Sequence, residues 1–310
     1  MPIVNRALVK SGFSNIKSVV TTFDSGGDTG RMRTDERGRV LAFSDYWRSL
    51  ISLWKDGSQK DNWEEMLRFR DGRNRNFGNM FFQFMTEKVG KLSDVDRLFS
   101  QLTGARIEGE VIPVSSFPAD VCFETISGKK YRGEHYLDEL RMSDDVVVKI
   151  WLEPKVEANQ EALRALVDSE VIILCPGSMY GSVMTNFLPN GMAEAYNKSR
   201  AKKILMTNIM SAANENNNYT QKEYVETFER YLKSKHPFDL VVVADLVKLD
   251  QTKLGKALKY YAMEHSGPIG VNSGNAGYVT LLEDLAVIEE TNMRLRHSED
   301  KMSRLFKRIL

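Results

Sequence analysis

Short apolar runs, each closed by turn residues, alternate along this chain with longer stretches whose apolar positions recur at helical spacing. The apolar runs are IKSVVTTFD (16–24), VVVKIWL (146–152), EVIILCPGS (170–178), AKKILMTNIM (201–210) and FDLVVVAD (238–245). Their near-continuous Val, Ile and Leu predict strands buried on both faces, as in a parallel sheet. Helices are predicted between them. TQKEYVETFERYLKSK opens at Thr220 with Glu223 in capping-box position, and Tyr224, Val225, Phe228, Tyr231 and Leu232 form one apolar face. NQEALRALVDS (159–169) separates two strands in the same way. The alternation predicts an α/β protein with a three-layer, Rossmann-like, open and mainly parallel sheet. Ligands of such sheets lie beyond the carboxyl ends of the strands, where Asp24, Pro176 to Ser178 and Asn208 fall.

Residues 55–145 break the alternation. They are rich in charge and in helical periodicity, with GNMFFQFMTEKV (78–89) reading as a buried helix. Short strands and turns follow, with SGKK as a hairpin turn. The expected organisation is a single domain over 1–310: a Rossmann-like core from 1–54 and 146–310, and 55–145 as an inserted α+β subdomain of helices and a β-hairpin. NENNNYT (214–220) reads as a polar loop, either a lid or solvated surface. At the start, Met1 runs into IVNRALVKSGF, which reads as the end of a helix. The strand and glycine-rich turn that usually open a nucleotide fold are therefore expected to be missing.

Composition narrows the function classes. Lys plus Arg total 43 and Asp plus Glu 42 in 310 residues, so no excess charge calls for nucleic acid or an anionic membrane as partner. Cys122 and Cys175 are the two cysteines, which excludes a disulfide scaffold or a zinc knuckle. No signal-peptide core opens the chain, and no apolar run reaches membrane-span length. A cytoplasmic protein, by default a homodimer, is expected.

The candidate chemistry lies in TTFDSGGDTGRMRT (21–34). Gly26, Gly27 and Gly30 let the backbone approach a ligand and turn successive N–H groups toward an anion. Asp24 and Asp28 suit ribose hydroxyls or Mg²⁺, which is commonly held by one or two carboxylates plus phosphate. Arg31 and Arg33 match phosphate oxygens, but both serve one ligand only if the chain is extended there. A tight surface turn is the competing reading. In CPGS (175–178), Gly177 and Ser178 offer N–H groups at a helix start, and Ser178 equally suits an N-cap. GxSxG is absent, and His135, His236, His265 and His297 share no metal-ligand spacing.

Taken together, these motifs resemble the superfamily of 2-phospho-L-lactate transferase, CofD, and more closely its YvcK branch of gluconeogenesis factors. The branch pattern VTxxDxGGSSGRLR is matched by VTTFDSGGDTGRMR (20–33), its GNL by Gly78-Asn79-Met80, and its GxVxPxS/T by GEVIPVS (109–115). Its GE dipeptide corresponds to Gly133-Glu134, and GPGSLYTSxxPNLL to CPGSMYGSVMTNFL (175–188). Its NxMT corresponds to Asn208 to Ser211, and RHDPxKLA to RHSEDKMS (296–303). The resemblance spans nearly the whole chain, in order.

It implies a Rossmann-like core with a phosphorylated ligand. Asp24 and the glycines at 26–30 would line the nucleotide or metal site, and Asn79, Gly177, Ser178, Asn186 and Asn208 would surround it. The YvcK branch implies UDP-sugar or dinucleotide binding, with a regulatory role in carbon metabolism or cell-wall synthesis. The transferase branch implies transfer of a 2-phospho-L-lactate unit to a deazaflavin with Mg²⁺. A protein-interaction scaffold with a degenerate pocket is the remaining alternative. The sequence departs from the family in three places. GGGTG is expected before Met1 and is not there. GDxRNxL survives loosely as Ser44-Asp45 with Arg48 and Leu50, and SAANENN replaces TQPGET, with Glu215 in place of the glutamate.

Overall fold

The computed structural model describes every residue except 36–40, 56, 58, 91–93 and 273–276, and only the backbone of 33–35. Helix α1 (Pro2–Lys10) leads into strand β1 (Ile16–Val20), followed by α2 (Gly27–Asp35) and α3 (Ser44–Ser52). Helices α4 (Lys60–Arg68), α5 (Phe77–Val89) and α6 (Val95–Thr103) come next. Strand β2 (Gly109–Pro113) then returns to pair in parallel with β1, Ile16 opposite Gly109 and Val20 opposite Pro113. An antiparallel sheet in the order β4–β3–β5 follows, from β3 (Asp120–Thr125), β4 (Lys130–Arg132) and β5 (Val147–Glu153), with α7 (His135–Glu139) in its last connection.

Next come α8 (Gln160–Asp168), β6 (Val171–Leu174), α9 (Met192–Lys198), β7 (Lys202–Met206), α10 (Ala213–Asn216) and α11 (Gln221–Leu232). Strand β8 (Leu240–Ala244), α12 (Gln251–Met263) and β9 (Val279–Glu283) complete a parallel sheet in the order β6–β7–β8–β9. An antiparallel ribbon of β10 (Ala286–Glu289) and β11 (Arg294–His297) precedes the last helix, α13 (Glu299–Ile309). This helix lies against α1, where Arg6 pairs with Glu299 at 3.3 Å and Ser11 donates to the Ser303 carbonyl at 3.1 Å.

Local chemistry explains the best-formed elements. Every residue of β8, LVVVA, is buried, as expected of a central parallel strand. Helix α11 starts with the predicted capping box, the Thr220 N–H donating to Glu223 at 2.8 Å. Helix α5 is capped by Asn76 and stops at Gly90, whose φ of 75° is left-handed. The SGKK turn is the one joining β3 to β4. One core lies between the parallel sheet and α8, α9 and α11, including Leu205, Val241, Tyr224 and Phe228. A second covers the other face with α1 and α13, through Ala7, Val242 and Phe306. A third is built by α3–α6 around Trp47, Trp54, Phe82 and Phe99, with Phe82 and Phe99 stacked at 5.6 Å.

Two expectations change. VVVKIWL is an edge strand of the antiparallel sheet rather than a member of the parallel one, because Val148 and Lys149 face solvent and one of its faces is wet. NENNNYT is not a solvated loop: Asn214, Glu215 and Asn216 are buried in α10 because each side chain finds an internal partner. The parallel strands also form two groups. Among the described residues, β1 pairs only with β2, and β6 only with β7, so each keeps one unpaired edge.

Candidate functional site

Asp24, Glu134 and the CPGS turn meet at the carboxyl ends of β1 and β6. Beyond β1 the chain extends through Thr21 to Asp24 and turns at Gly26 and Gly27 into α2. Gly27 has a φ of 49°, a conformation that favours glycine. Gly30 is required for a different reason: a Cβ there would stand 2.1 Å from the Ser25 carbonyl oxygen. The turn is closed by Asp24, which accepts the Gly26 N–H at 2.7 Å and the Ser44 hydroxyl at 2.7 Å.

Glu134, at the foot of α7, reaches the same spot. Its carboxyl hydrogen-bonds to that of Asp24, and both lie close to Gly26. Burial, and then the Asp24 charge, push Glu134 up to about 9. Burial and Asp24 also raise Asp45. At neutral pH the Asp24–Glu134 pair therefore holds a proton. Next to it, the Ser25 hydroxyl lies 3.0 Å from His135 Nδ1 and accepts the His135 backbone N–H at 3.2 Å. These two contacts tie α7 to the glycine loop.

The CPGS turn continues into a π-type turn over Met179–Val183. Its donors are taken up internally. The Gly177 N–H donates to Asn208 Oδ1 at 2.8 Å, and Asn208 Nδ2 returns a bond to the Gly177 carbonyl at 2.8 Å. Glu215 accepts from the Ser178 hydroxyl at 2.7 Å, from Met179 N–H at 2.6 Å and from Tyr180 N–H at 3.4 Å. The helix-start amides that suit a ligand anion thus face a protein carboxylate, which burial pushes to a raised pKa against the pull of Ser178. Ser178 also acts as a cap, accepting the Gly181 N–H at 2.8 Å. Gly181 joins the two halves of the site: a Cβ there would lie 2.8 Å from both Glu134 Oε1 and Ser178 Oγ.

The remaining candidates occupy distinct places. Asp28 is buried, accepting from Asn79 Nδ2 at 2.9 Å with Oδ2, while its Oδ1 has no partner among the described residues. Asn79 also accepts from Trp47 Nε1 at 3.0 Å, so it positions the start of α2. Arg31 is exposed and donates to the Arg73 and Asn74 carbonyls at 2.9 and 3.0 Å. Helix α2 runs through both arginines, placing positions 31 and 33 roughly 200° apart. The Arg33 side chain lies outside the described residues. Asn186 donates to the Ser182 carbonyl at 2.7 Å, and its buried Oδ1 has no partner among the described residues. Gly177 has no left-handed φ, and a Cβ there would meet Ser182 at an ordinary 3.4 Å.

Sequence reasoning did not nominate Ser25, Ser44, Asp45, Glu134, His135, Gly181 or Glu215 for the site. The Gly133-Glu134 dipeptide was the signal nearest to hand. Among the described residues, no group of three or more His, Cys, Asp or Glu side chains is arranged to hold a metal, and no helix is long and apolar enough to cross a membrane.

Comparison with known proteins identifies a family and a fold. A family model described as 2-phospho-L-lactate transferase CofD matches residues 3–285. A relative from Aquifex aeolicus that carries the gluconeogenesis-factor name is 28% identical over 97% of this chain and 90% of its own. The gluconeogenesis factor of Halalkalibacterium halodurans is 26% identical over 93% of this chain and 87% of its own. That of Bacillus subtilis is 24% identical over 96% and 90%. The crystal structure of a Bacillus halodurans protein of the UPF0052 family superposes with a TM-score of 0.83 at 24% identity, covering 98% of this chain and 95% of that one.

Proposed function

The chain belongs to the CofD family, and on that premise we propose that it is a nucleotide-sugar binding protein of the YvcK type. It takes a UDP-sugar or a dinucleotide at the carboxyl ends of β1 and β6 and acts as a regulator of carbon metabolism or cell-wall synthesis. The observation that carries this reading is the carboxyl pair of Asp24 and Glu134 beside the glycine turn. Carboxylates accept hydrogen bonds from hydroxyls and repel bare phosphate. The fitting ligand therefore offers ribose or sugar hydroxyls to the acidic side, with its phosphates toward the glycine turn and Arg31.

Mg²⁺ belongs to this reading: Asp24 and Asp28, whose Oδ1 has no partner among the described residues, would hold it together with ligand phosphate, and the ion would neutralise charge between phosphate and carboxylates. The reading places the site on a three-layer Rossmann-like core, in a cytoplasmic homodimer.

Titration calorimetry with UDP-sugars and dinucleotides, with and without Mg²⁺, tests it. Saturable binding that weakens in Asp24→Asn is expected. Failure of every nucleotide to bind would leave the scaffold reading. A CofD-type transferase is the second reading, favoured by a carboxyl kept neutral at Glu134, where it can donate a proton. Turnover of an activated lactyl donor with deazaflavin and Mg²⁺ would establish it.

A further inference from the structure

At the opposite end of the parallel sheet, a recess of about 450 Å³ opens at the amino ends of β7 and β8. Arg200, Lys202, Lys203, His236 and Asp239 are among the residues that line it. Its cations are unusually placed. Lys202 donates to the Ile309 carbonyl at 2.8 Å, and the Lys203 ammonium lies 4.9 Å from the centre of the buried Tyr196 ring. Among the described residues, neither lysine nor Arg200 forms an ion pair with a carboxylate. Elsewhere in the chain bases are paired with carboxylates: Lys301 with Asp284, Arg294 with Glu264 and Arg308 with Glu283.

Asp239 is the one carboxylate in the lining, and it spends an oxygen on the Lys203 backbone N–H at 2.8 Å. A helix end accounts for Lys202, which donates to the last carbonyl of α13, whereas the Lys203 ammonium sits over the Tyr196 ring. Helix α9 ends at Lys198, and Arg200, Lys202 and Lys203 lie beyond it, the lysines on the strand itself. Burial lowers the Lys203 pKa, so its charged form gains from a nearby anion.

We propose that this recess binds a compact, multiply charged oxyanion of the pyrophosphate class, at a site separate from the one formed by Asp24 and Glu134. The lining is mostly polar, and the Tyr196 ring is buried beneath Lys203, so its face is not open to a base. The clustered cations suit a small anion. Arg200 supplies a planar fork and Lys202 and Lys203 supply point charges. The five-residue strand β7 separates the two sites by roughly 17 Å, since its far end leads to Asn208.

The test is calorimetry of the full chain with sodium pyrophosphate at low ionic strength, without divalent cations. One saturable site per chain is expected. Arg200→Gln and Lys203→Gln should each weaken it by several-fold, and the double variant by about tenfold or more. Arg31→Gln and Asp24→Asn, which alter the other site, should leave it unchanged. Melting curves establish that each variant is folded, and the single variants carry the test if the double does not fold. Absence of saturable heat, or unchanged affinity in the Arg200 and Lys203 variants, overturns the proposal. So does loss of binding in Arg31→Gln or Asp24→Asn, which would put the anion at the carboxyl ends of the strands.

Discussion

Replacing Glu134 by Gln should stabilise this protein, and increasingly so as pH rises. The carboxyl of Glu134 is held up to about 9 in the folded chain, whereas the ordinary value for a glutamate is 4.5. A folded state that keeps a proton the unfolded state releases is penalised as protons become scarce. The contribution of this group is therefore intact below about 4.5 and is lost as pH rises toward 9. Each pH unit in that window costs about 1.4 kcal/mol, so the loss at pH 7.5 reaches at most about 4 kcal/mol. Gln keeps the shape and can still donate to Asp24, but it has no proton to lose. For a chain of this length about 1 kcal/mol moves Tm by about 2 °C. Thermal melts of wild type and Glu134→Gln from pH 4.5 to 8.5 should coincide at the acid end and separate by several degrees at the alkaline end, the variant higher. Parallel profiles, or a variant that melts lower at pH 8.5, would refute the shared proton between Asp24 and Glu134.

Three further outcomes follow from contacts at the same site. Gly181→Ala places a methyl 2.8 Å from Glu134 Oε1 and Ser178 Oγ and should cost about 1–3 kcal/mol; a melt unchanged from wild type would mean that the two walls move apart freely. Glu215→Ala strips the partner from Ser178 and from the Met179 and Tyr180 N–H groups and should cost on the order of 3 kcal/mol, measured by denaturant unfolding. Asp24→Asn keeps an acceptor for the Gly26 N–H and should cost about 1 kcal/mol, while calorimetry shows Mg²⁺-dependent nucleotide binding weakened by about tenfold or more. A large stability loss with unchanged binding would reduce Asp24 to a clamp on the glycine turn.

What the sequence made legible is what neighbouring residues decide. Thr220 and Glu223 cap α11 across a single turn, and the 3.6-residue period of that helix needs no distant partner to be read. The SGKK turn is local in the same sense. VVVKIWL misleads because three consecutive valines look the same in a buried parallel strand and at an antiparallel edge; its partner β3 lies more than twenty residues away and leaves one face wet.

The site itself is non-local. Ser178 and Glu215 are 37 residues apart, and Ser25 and His135 are 110 apart. No spacing rule connects them, because what brings them together is the packing of α7 and α10 over the strand ends. Glu134 shows why this matters for function. Its carboxyl is unremarkable in sequence and acquires a raised pKa only when the fold sets it against Asp24 in a place poor in water. A fold selected for stability alone would have a neutral isostere there, so a glutamate kept at this cost is an argument that the group serves a ligand. The same reasoning separates it from Asn79, whose bonds to Asp28 and Trp47 are internally satisfied and need no ligand to explain them.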